Sequence, residues 1–280
     1  MLSYLHGFHA GNAADVLKHS LLIFCLDYLK KKEKPLLCAD THAGAGLYKL
    51  ANREWEKGIG LLMRSAEKPP PLIDTYMQFC ASCAGPDEYP GSPYIMAKML
   101  AKGDRLVCFE LHPREEETLK RSLQKAGSKA HTEVRREDGP AGLKSLLPPP
   151  SRRGLVLVDP SWEEQDEYES VPRAVQAALK RFPEGTFMVW YPLLALAPGL
   201  LPDVLFGLAG GSRCRVELRT GAAKNSPGKN SPRGMYGSGL AIFNPPWTLR
   251  PALEAALPCL ARILGGAEGS WRLDYADSKP

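Results

Sequence analysis

Residues Leu36 to Gly46 read Leu-Leu-Cys-Ala-Asp-Thr-His-Ala-Gly-Ala-Gly, and this stretch limits the fold more than any other. A short apolar run closes on an acid and opens into a glycine-rich turn. In an open α/β sheet, a parallel strand ends this way where it delivers a nucleotide-like ligand to the carboxyl edge. Gly44 and Gly46 have no Cβ, so the backbone there can take unusual dihedral angles and come close to a ligand. Asp40 and His42 place polar groups on the same rim.

The rest of the chain supplies a sheet for that strand. Residues 36–39, 105–109, 130–135, 154–158 and 186–190 read as strands, with two more at 213–218 and 239–243. Between them lie helical patterns. One starts from a cap at Asn12 or Asp15 and ends in the cations of Lys30 to Lys34, before Pro35. Others cover 94–101, 115–126, 143–147, 171–181 and 200–208. Strands alternating with helices predict an α/β fold with a doubly wound, mostly parallel sheet. Residues 50–94 break the rhythm with helical patches at 55–65 and 72–83, a proline triplet and a loop before Pro93. The expected domains are therefore 1–49 with 95–280, and a small helical subdomain, 50–94, inserted between the first two strands. Thr220 to Gly234, rich in Gly, Ser, Asn and Pro, is expected to be a mobile loop.

Composition excludes several classes. No run approaches the ~18 apolar residues of a membrane span, and Met1 to His6 lack the basic start of a signal peptide. Seven cysteines, an odd number lying mostly in apolar runs, read as reduced thiols of a cytoplasmic protein. The net charge of +5 permits a nucleic-acid partner without requiring one. His6, His9 and His19 lack a Cys or carboxylate at metal-site spacing, so no metal is expected there. Cys80 and Cys83 form a single CxxC without a second pair and read as one helix face.

Two nucleotide sites fail on spacing. A dinucleotide fold wants Gly-x-Gly-x-x-Gly, but Lys49 stands where the third glycine belongs. A phosphate-binding P-loop would need Gly-Lys-Ser/Thr, which is missing as well. The successive strand ends carry Asp40, Glu110, Asp138 and Asp159. Glu110, closing the second strand, stands where Rossmann-like sites grip ribose hydroxyls, and a carboxylate can accept from both at once. Asp138 follows the third strand, where a side chain can accept from an adenine amine. This order resembles that of S-adenosylmethionine-dependent methyltransferases. The inserted segment accounts for the wide gap between Gly46 and Glu110.

Asp159-Pro160-Ser161-Trp162 follows the fourth strand and resembles the Asp-Pro-Pro-Tyr signature of amino-methyltransferases. An adenine N6 lone pair is conjugated into the ring and is a poor nucleophile. A carboxylate and a backbone carbonyl that accept its two N–H groups turn that lone pair toward a methyl donor and stabilise developing positive charge. The aromatic residue, here Trp162, stacks on the flipped base. Ser161 replaces the second proline, which raises the alternative of a cofactor-binding, RNA-binding protein with impaired catalysis. Asn244-Pro245-Pro246-Trp247 spells a similar motif after the last strand and reads as a structural turn.

The N-terminal run through His19, the stretch from Asp40 to Gly46, Tyr89 to Pro93, Glu110 to Pro113, Ser151 to Leu155, and Ser238-Gly239 with Asn244 to Trp247 together resemble the RlmJ family, bacterial 23S rRNA adenine-N6 methyltransferases. The likeness spans nearly the whole chain. It implies a Rossmann-like class I methyltransferase fold with S-adenosyl-L-methionine as methyl donor and 23S rRNA as partner. A cytoplasmic monomer without membrane association is implied too. It implies that Asp159 is the catalytic acid, and that His19, His42, Ser92, Glu110, Asp138 and Gly139 contact the methyl donor. Tyr4 would meet the substrate RNA on a tail over the site, with Lys18 beside His19. The inserted helices would hold RNA. A DNA adenine-N6 methyltransferase stays open as an alternative, because the acceptor motif does not separate RNA from DNA. Arg152, Arg153, Arg213, Arg215, Arg219, Lys224, Lys229 and Arg233 read either as phosphate contacts or as solvated surface.

Overall fold

β1 (Leu37–Asp40) is buried along its whole length, as a strand between two helical layers must be. The computed structural model describes residues 9–50, 53–83, 85, 87–194, 200–208, 211–221 and 234–277. β1 pairs in parallel with β4 (Arg105–Phe109) on one side and with β6 (Gly154–Val158) on the other. β5 (His131–Arg135) lies outside β4 and β7 (Thr186–Leu194) outside β6, again in parallel. β9 (Met235–Phe243) pairs antiparallel with β7, β8 (Arg213–Arg219) with β9, and β10 (Ser270–Ala276) with β8. The eight-stranded order is β10-β8-β9-β7-β6-β1-β4-β5. The chain moves from β1 outward through β4 to β5, then returns to β6 on the other flank. The carboxyl ends of β1 and β6 therefore border the crevice where open α/β sheets hold ligands. This is the doubly wound arrangement expected from the sequence, with an antiparallel flank added.

Two helical layers cover the sheet. On one face, α1 (Ala13–Lys30), α4 (Ser92–Met99), α5 (Pro113–Ala126) and α9 (Leu249–Gly265) share a buried apolar cluster with Cys38, Cys108, Leu157 and Met188. On the other, α6 (Gly139–Leu146), α7 (Glu167–Arg181) and α8 (Leu200–Gly207) pack against Ala39, Val107, Val156 and Val189. The alternation follows from the two-residue period of a strand. Of the two candidate caps for α1, Asn12 is the one that acts, accepting from the Ala14 and Asp15 amides.

Between β1 and β4 the chain forms α2 (Ile59–Arg64) and α3 (Pro71–Cys83). The ends of this segment are joined by an antiparallel pair absent from the sequence reading, β2 (Leu47–Lys49) with β3 (Glu88–Pro90). Ile59, Leu62, Ile73, Tyr76 and Tyr89 join the cluster under α1 and α9. The described residues of the segment thus pack on the main core. α9 and β10 are likewise unassigned by the sequence reading. The apolar stripe of α9 (Leu249, Leu253, Leu257, Leu260, Leu264) carries the helical period, although Pro258 lies inside it.

No helix among the described residues is long and apolar enough to cross a membrane. Residues 222–233 of the loop expected to be mobile lie outside the described residues.

Candidate active site

Register sets the acids in place. Asp40 pairs with Cys108 of β4 and Leu157 of β6. Glu110 and Asp159 therefore stand two residues beyond Asp40's neighbours, flanking the turn at His42. By the same alternation they belong to the α1 face. A cavity of about 270 Å³ opens at this edge, lined among others by Lys18, His42, Gly44, Ser92, Glu110, Asp138, Gly139 and Asp159.

The glycine turn is built by its neighbours. Gly44 and Gly46 have φ of +58° and +80°, in the left-handed region that favours glycine. The Gly44 amide donates to Glu110 Oε2 at 2.8 Å, while Glu110 Oε1 accepts from the His112 amide at 2.7 Å. The Glu110 carboxylate thus faces the cavity and also clasps the turn to the end of β4. The Ser122 hydroxyl of α5 donates to the Ala45 carbonyl at 2.7 Å. Across the crevice, Asp138 caps α6 by accepting from the Ala141 amide at 2.7 Å. Any Cβ at Gly139 would lie 2.1 Å from the Thr41 carbonyl oxygen, so only glycine lets α6 approach the turn this closely.

Asp40 lies beneath the turn with no solvent exposure. Burial, together with the Asp159 charge, pushes its pKa up to about 6, although the Ser92 hydroxyl and the His42 amide favour its charged form. Its Oδ1 accepts from the His42 amide at 3.2 Å, whereas its buried Oδ2 completes no well-formed hydrogen bond. His42 keeps an edge on the cavity, but desolvation by its packing lowers its pKa to about 4 against the pull of Asp159 and Asp138. Its Nδ1 pairs with the Thr41 hydroxyl at 2.8 Å. Asp159 meets Lys18 Nζ through Oδ2 at 2.5 Å, and the same ammonium binds Asp15 at 2.8 Å. Burial works against the Lys18 charge, but the two carboxylates outweigh it and hold its pKa above the usual lysine value.

Ser161 is hydrogen-bonded within the turn that follows β6. Its hydroxyl bonds Glu167 Oε2 and the Glu163 amide, each at 3.3 Å, and so closes the turn after β6. Trp162, at φ +56°, turns away from the cavity and is 4% exposed. Its Nε1 donates to the Trp190 carbonyl at 3.0 Å, and its ring packs on Tyr168. The expected stacking face of Trp162 is thus buried in the core. His19 is also outside the cavity wall: it is 1% exposed, and its Nδ1 meets the Tyr89 hydroxyl at 2.7 Å. Tyr89 in turn meets Tyr76 at 3.0 Å. Tyr4 lies outside the described residues.

His42, Ser92, Glu110, Asp138, Gly139 and Asp159 therefore meet at one cavity. The Asp15–Lys18 pair gives no sequence signal beyond its spacing of three on a helix. Seven carboxylates line the cavity (Glu110, Glu115, Asp138, Asp159, Glu163, Glu164 and Glu167), against one lysine. In a chain of net charge +5 this is an acidic enclave, and it suits a cationic ligand with ribose hydroxyls. A sulfonium nucleoside bearing an amino group has that chemistry, and the buried acid Asp40 adds to the fit. Among the described residues no His, Cys, Asp and Glu cluster could hold a metal ion.

The basic residues are placed less simply. Arg153 donates to the Leu29, Lys32 and Lys34 carbonyls, and Arg152 pairs with Glu184 at 2.5 Å, both before the amino end of β6 and away from the cavity. Arg215 is 4% exposed between Asp203 and Asp274. Arg153 and Arg215 are thus held within the fold, whereas Arg152 stays largely exposed beside Glu184.

Comparison with known proteins gives a consistent result. The family model for ribosomal RNA large subunit methyltransferase D, RlmJ, matches residues 33–276. The chain is 37% identical to ribosomal RNA large subunit methyltransferase J of Haemophilus influenzae, over 98% of this chain and 99% of that protein. It is 36% identical to the Escherichia coli protein of the same name, over 97% and 99%. A crystal structure of a Legionella pneumophila protein superposes with a TM-score of 0.84 at 33% identity, covering 95% of this chain and 98% of that one.

Proposed function

This chain belongs to the ribosomal RNA large subunit methyltransferase J family, and from that premise we propose that it methylates the N6 amine of an adenine in 23S rRNA. The methyl donor is S-adenosyl-L-methionine, which supplies an electrophilic sulfonium methyl when bound. The observation that carries this reading is Asp159, at the tip of β6 on the wall of an acidic cavity braced by a glycine turn.

Each residue has a part that its position supports. Glu110 takes the ribose hydroxyls, and Asp138 with Gly139 borders the adenine end. Ser92 and His42 bound the charged end, with Asp40 buried behind them. His42, kept neutral by its surroundings, adds no charge that would repel a cation. Asp159 accepts one N6–H of the target adenine, and the Pro160 carbonyl accepts the other. The lone pair is then directed out of conjugation, and the carboxylate stabilises the positive charge that develops on N6. Before the base enters, Lys18 holds Asp159 in place from the α1 side. His19 acts from behind the wall by fixing Tyr89. The hydroxyl-closed turn at Ser161 keeps the Pro160 carbonyl positioned, which favours an active enzyme over an impaired binding protein. The helical segment 50–94 and Tyr4 serve the RNA, and the enzyme works as a cytoplasmic monomer.

The test is transfer of labelled methyl groups to deproteinised 23S rRNA, beside DNA of the same sequence. Label in N6-methyladenosine of the rRNA is the expected result. Label confined to DNA would make the chain a DNA methyltransferase, and no transfer to either would end the reading.

A further inference from the structure

The buried position of Trp162 leaves the acceptor adenine without its expected aromatic partner. The strand register supplies another. Val158 of β6 pairs with Val189 of β7, so the next residues, Asp159 and Trp190, stand side by side at the carboxyl edge. Leu157 and Met188, two positions back, both point into the α1 cluster. Strand alternation therefore sends Asp159 and Trp190 toward the same face.

Lys18 confirms the geometry independently. Its ammonium lies 2.5 Å from Asp159 Oδ2 and 5.9 Å from the centroid of the Trp190 ring. One buried cation thus lies between Asp159, on the cavity wall, and the Trp190 ring just behind that wall. Trp190 is only partly buried, and its Nε1 is enclosed with no hydrogen-bond partner among the described residues. Among the described residues, Phe109 also reaches the cavity but packs in the opposite apolar cluster, and the two nearest tyrosines are engaged. Tyr48 accepts from the Ala45 amide under the glycine turn, and Tyr191 points into the opposite cluster and bonds Glu217.

We propose that Trp190 is the platform on which the acceptor adenine stacks, and that the Lys18 ammonium holds this seat in the free enzyme. The inference rests on the adenine-methylating function proposed above. The face of an indole attracts positive charge. It therefore suits both the resting ammonium and an adenine whose N6 is cationic from the time its N–C bond forms, at the expense of the donor's S–C bond, until one N6 proton is lost to solvent. Entry of the base need not strip Lys18 of every partner, because Asp15 still holds it at 2.8 Å. The base takes Asp159 and the ring face, while Lys18 withdraws toward Asp15.

The test compares Trp190→Leu and Trp190→Phe with wild type. Rates on 23S rRNA are measured together with S-adenosylmethionine affinity by calorimetry. The leucine variant is expected to lose tenfold or more in kcat/KM for RNA, with cofactor affinity within about twofold, as stacking energies per base imply. Trp190→Phe is expected to recover at least a third of the wild-type rate. Full activity in the leucine variant would overturn the proposal. Should that variant fail to fold, tryptophan emission decides. Adding rRNA to the enzyme bound to S-adenosylhomocysteine should quench wild type and spare Trp190→Phe, and equal quenching in both would overturn the proposal. A wild type that methylates no RNA would count against the proposed function, and the emission comparison would still judge Trp190.

Discussion

Asp40 shows what one residue contributes to the site at the expense of the fold. Its carboxyl is fully buried, and its pKa rises from 3.8 to about 6. The folded state therefore binds this proton more tightly than the unfolded state does. The resulting penalty is fully present above pH 6 and fades as pH falls toward 4. Two units correspond to about 3 kcal/mol. Asp40→Asn should accordingly raise the melting temperature of the free protein at pH 8, and raise it less at pH 5. Calorimetric titration should at the same time show weaker S-adenosylmethionine binding at pH 8. A larger gain at pH 5 than at pH 8 would mean that Asp40 is not held protonated by its burial. Some of this was legible in the sequence. Glu110 and Asp159 announce themselves as polar residues at the ends of apolar runs, whereas Asp138 follows a strand of mixed polarity. Trp162 does not reveal its direction, because a left-handed φ at that position decides which way the side chain leaves the turn. Lys18 was visible beside His19, but its contact with Asp159 spans 141 residues and depends on the packing of α1 over β6.

At the scale of elements, the two similar tetrads separate by where their strands end. Asp159 follows a parallel strand and faces the cavity, whereas Asn244 follows antiparallel β9 and lies at the amino edge of β7. Asn244, at φ +50°, donates to the Pro183 and Gly185 carbonyls, both at 2.7 Å. Trp247 beyond it is 79% exposed. Asn244→Ala should destabilise the protein by about 1–2 kcal/mol in urea, since the half-buried Gly185 carbonyl and the exposed Pro183 carbonyl lose their donor. Trp247→Ala should change stability by no more than about 0.5 kcal/mol and leave methyl transfer intact. A folded Trp247→Ala protein without activity would restore the late motif as the acceptor site. The central strands were readable because each is a continuous apolar run. β2 and β3 have three residues each, too few for a period, and their pairing joins Lys49 to Glu88 across the whole inserted segment. β10 escaped because Trp271, Arg272 and Asp274 mix charge and ring at an exposed edge.

The whole molecule concentrates negative charge where a cation must bind, within a chain of net charge +5. Its sheet reverses order beside β1, bringing Glu110 and Asp159 to opposite flanks of one turn. The inserted helices share the core of the α1 face, so the polar chain Tyr76–Tyr89–His19 ties that segment to the helix that carries Lys18. Neither feature is visible in composition, because both depend on residues brought together from distant parts of the chain. The central claim is that Asp159 aligns the accepting amine and does little for cofactor binding. The most direct test measures Asp159→Ala twice, for methyl transfer to deproteinised 23S rRNA and for S-adenosylmethionine affinity. Loss of one preorganised polar contact in the transition state, about 2.7–4 kcal/mol, predicts a rate reduced a hundredfold or more with affinity nearly unchanged. A rate close to wild type, or equal losses of rate and affinity, would contradict the account.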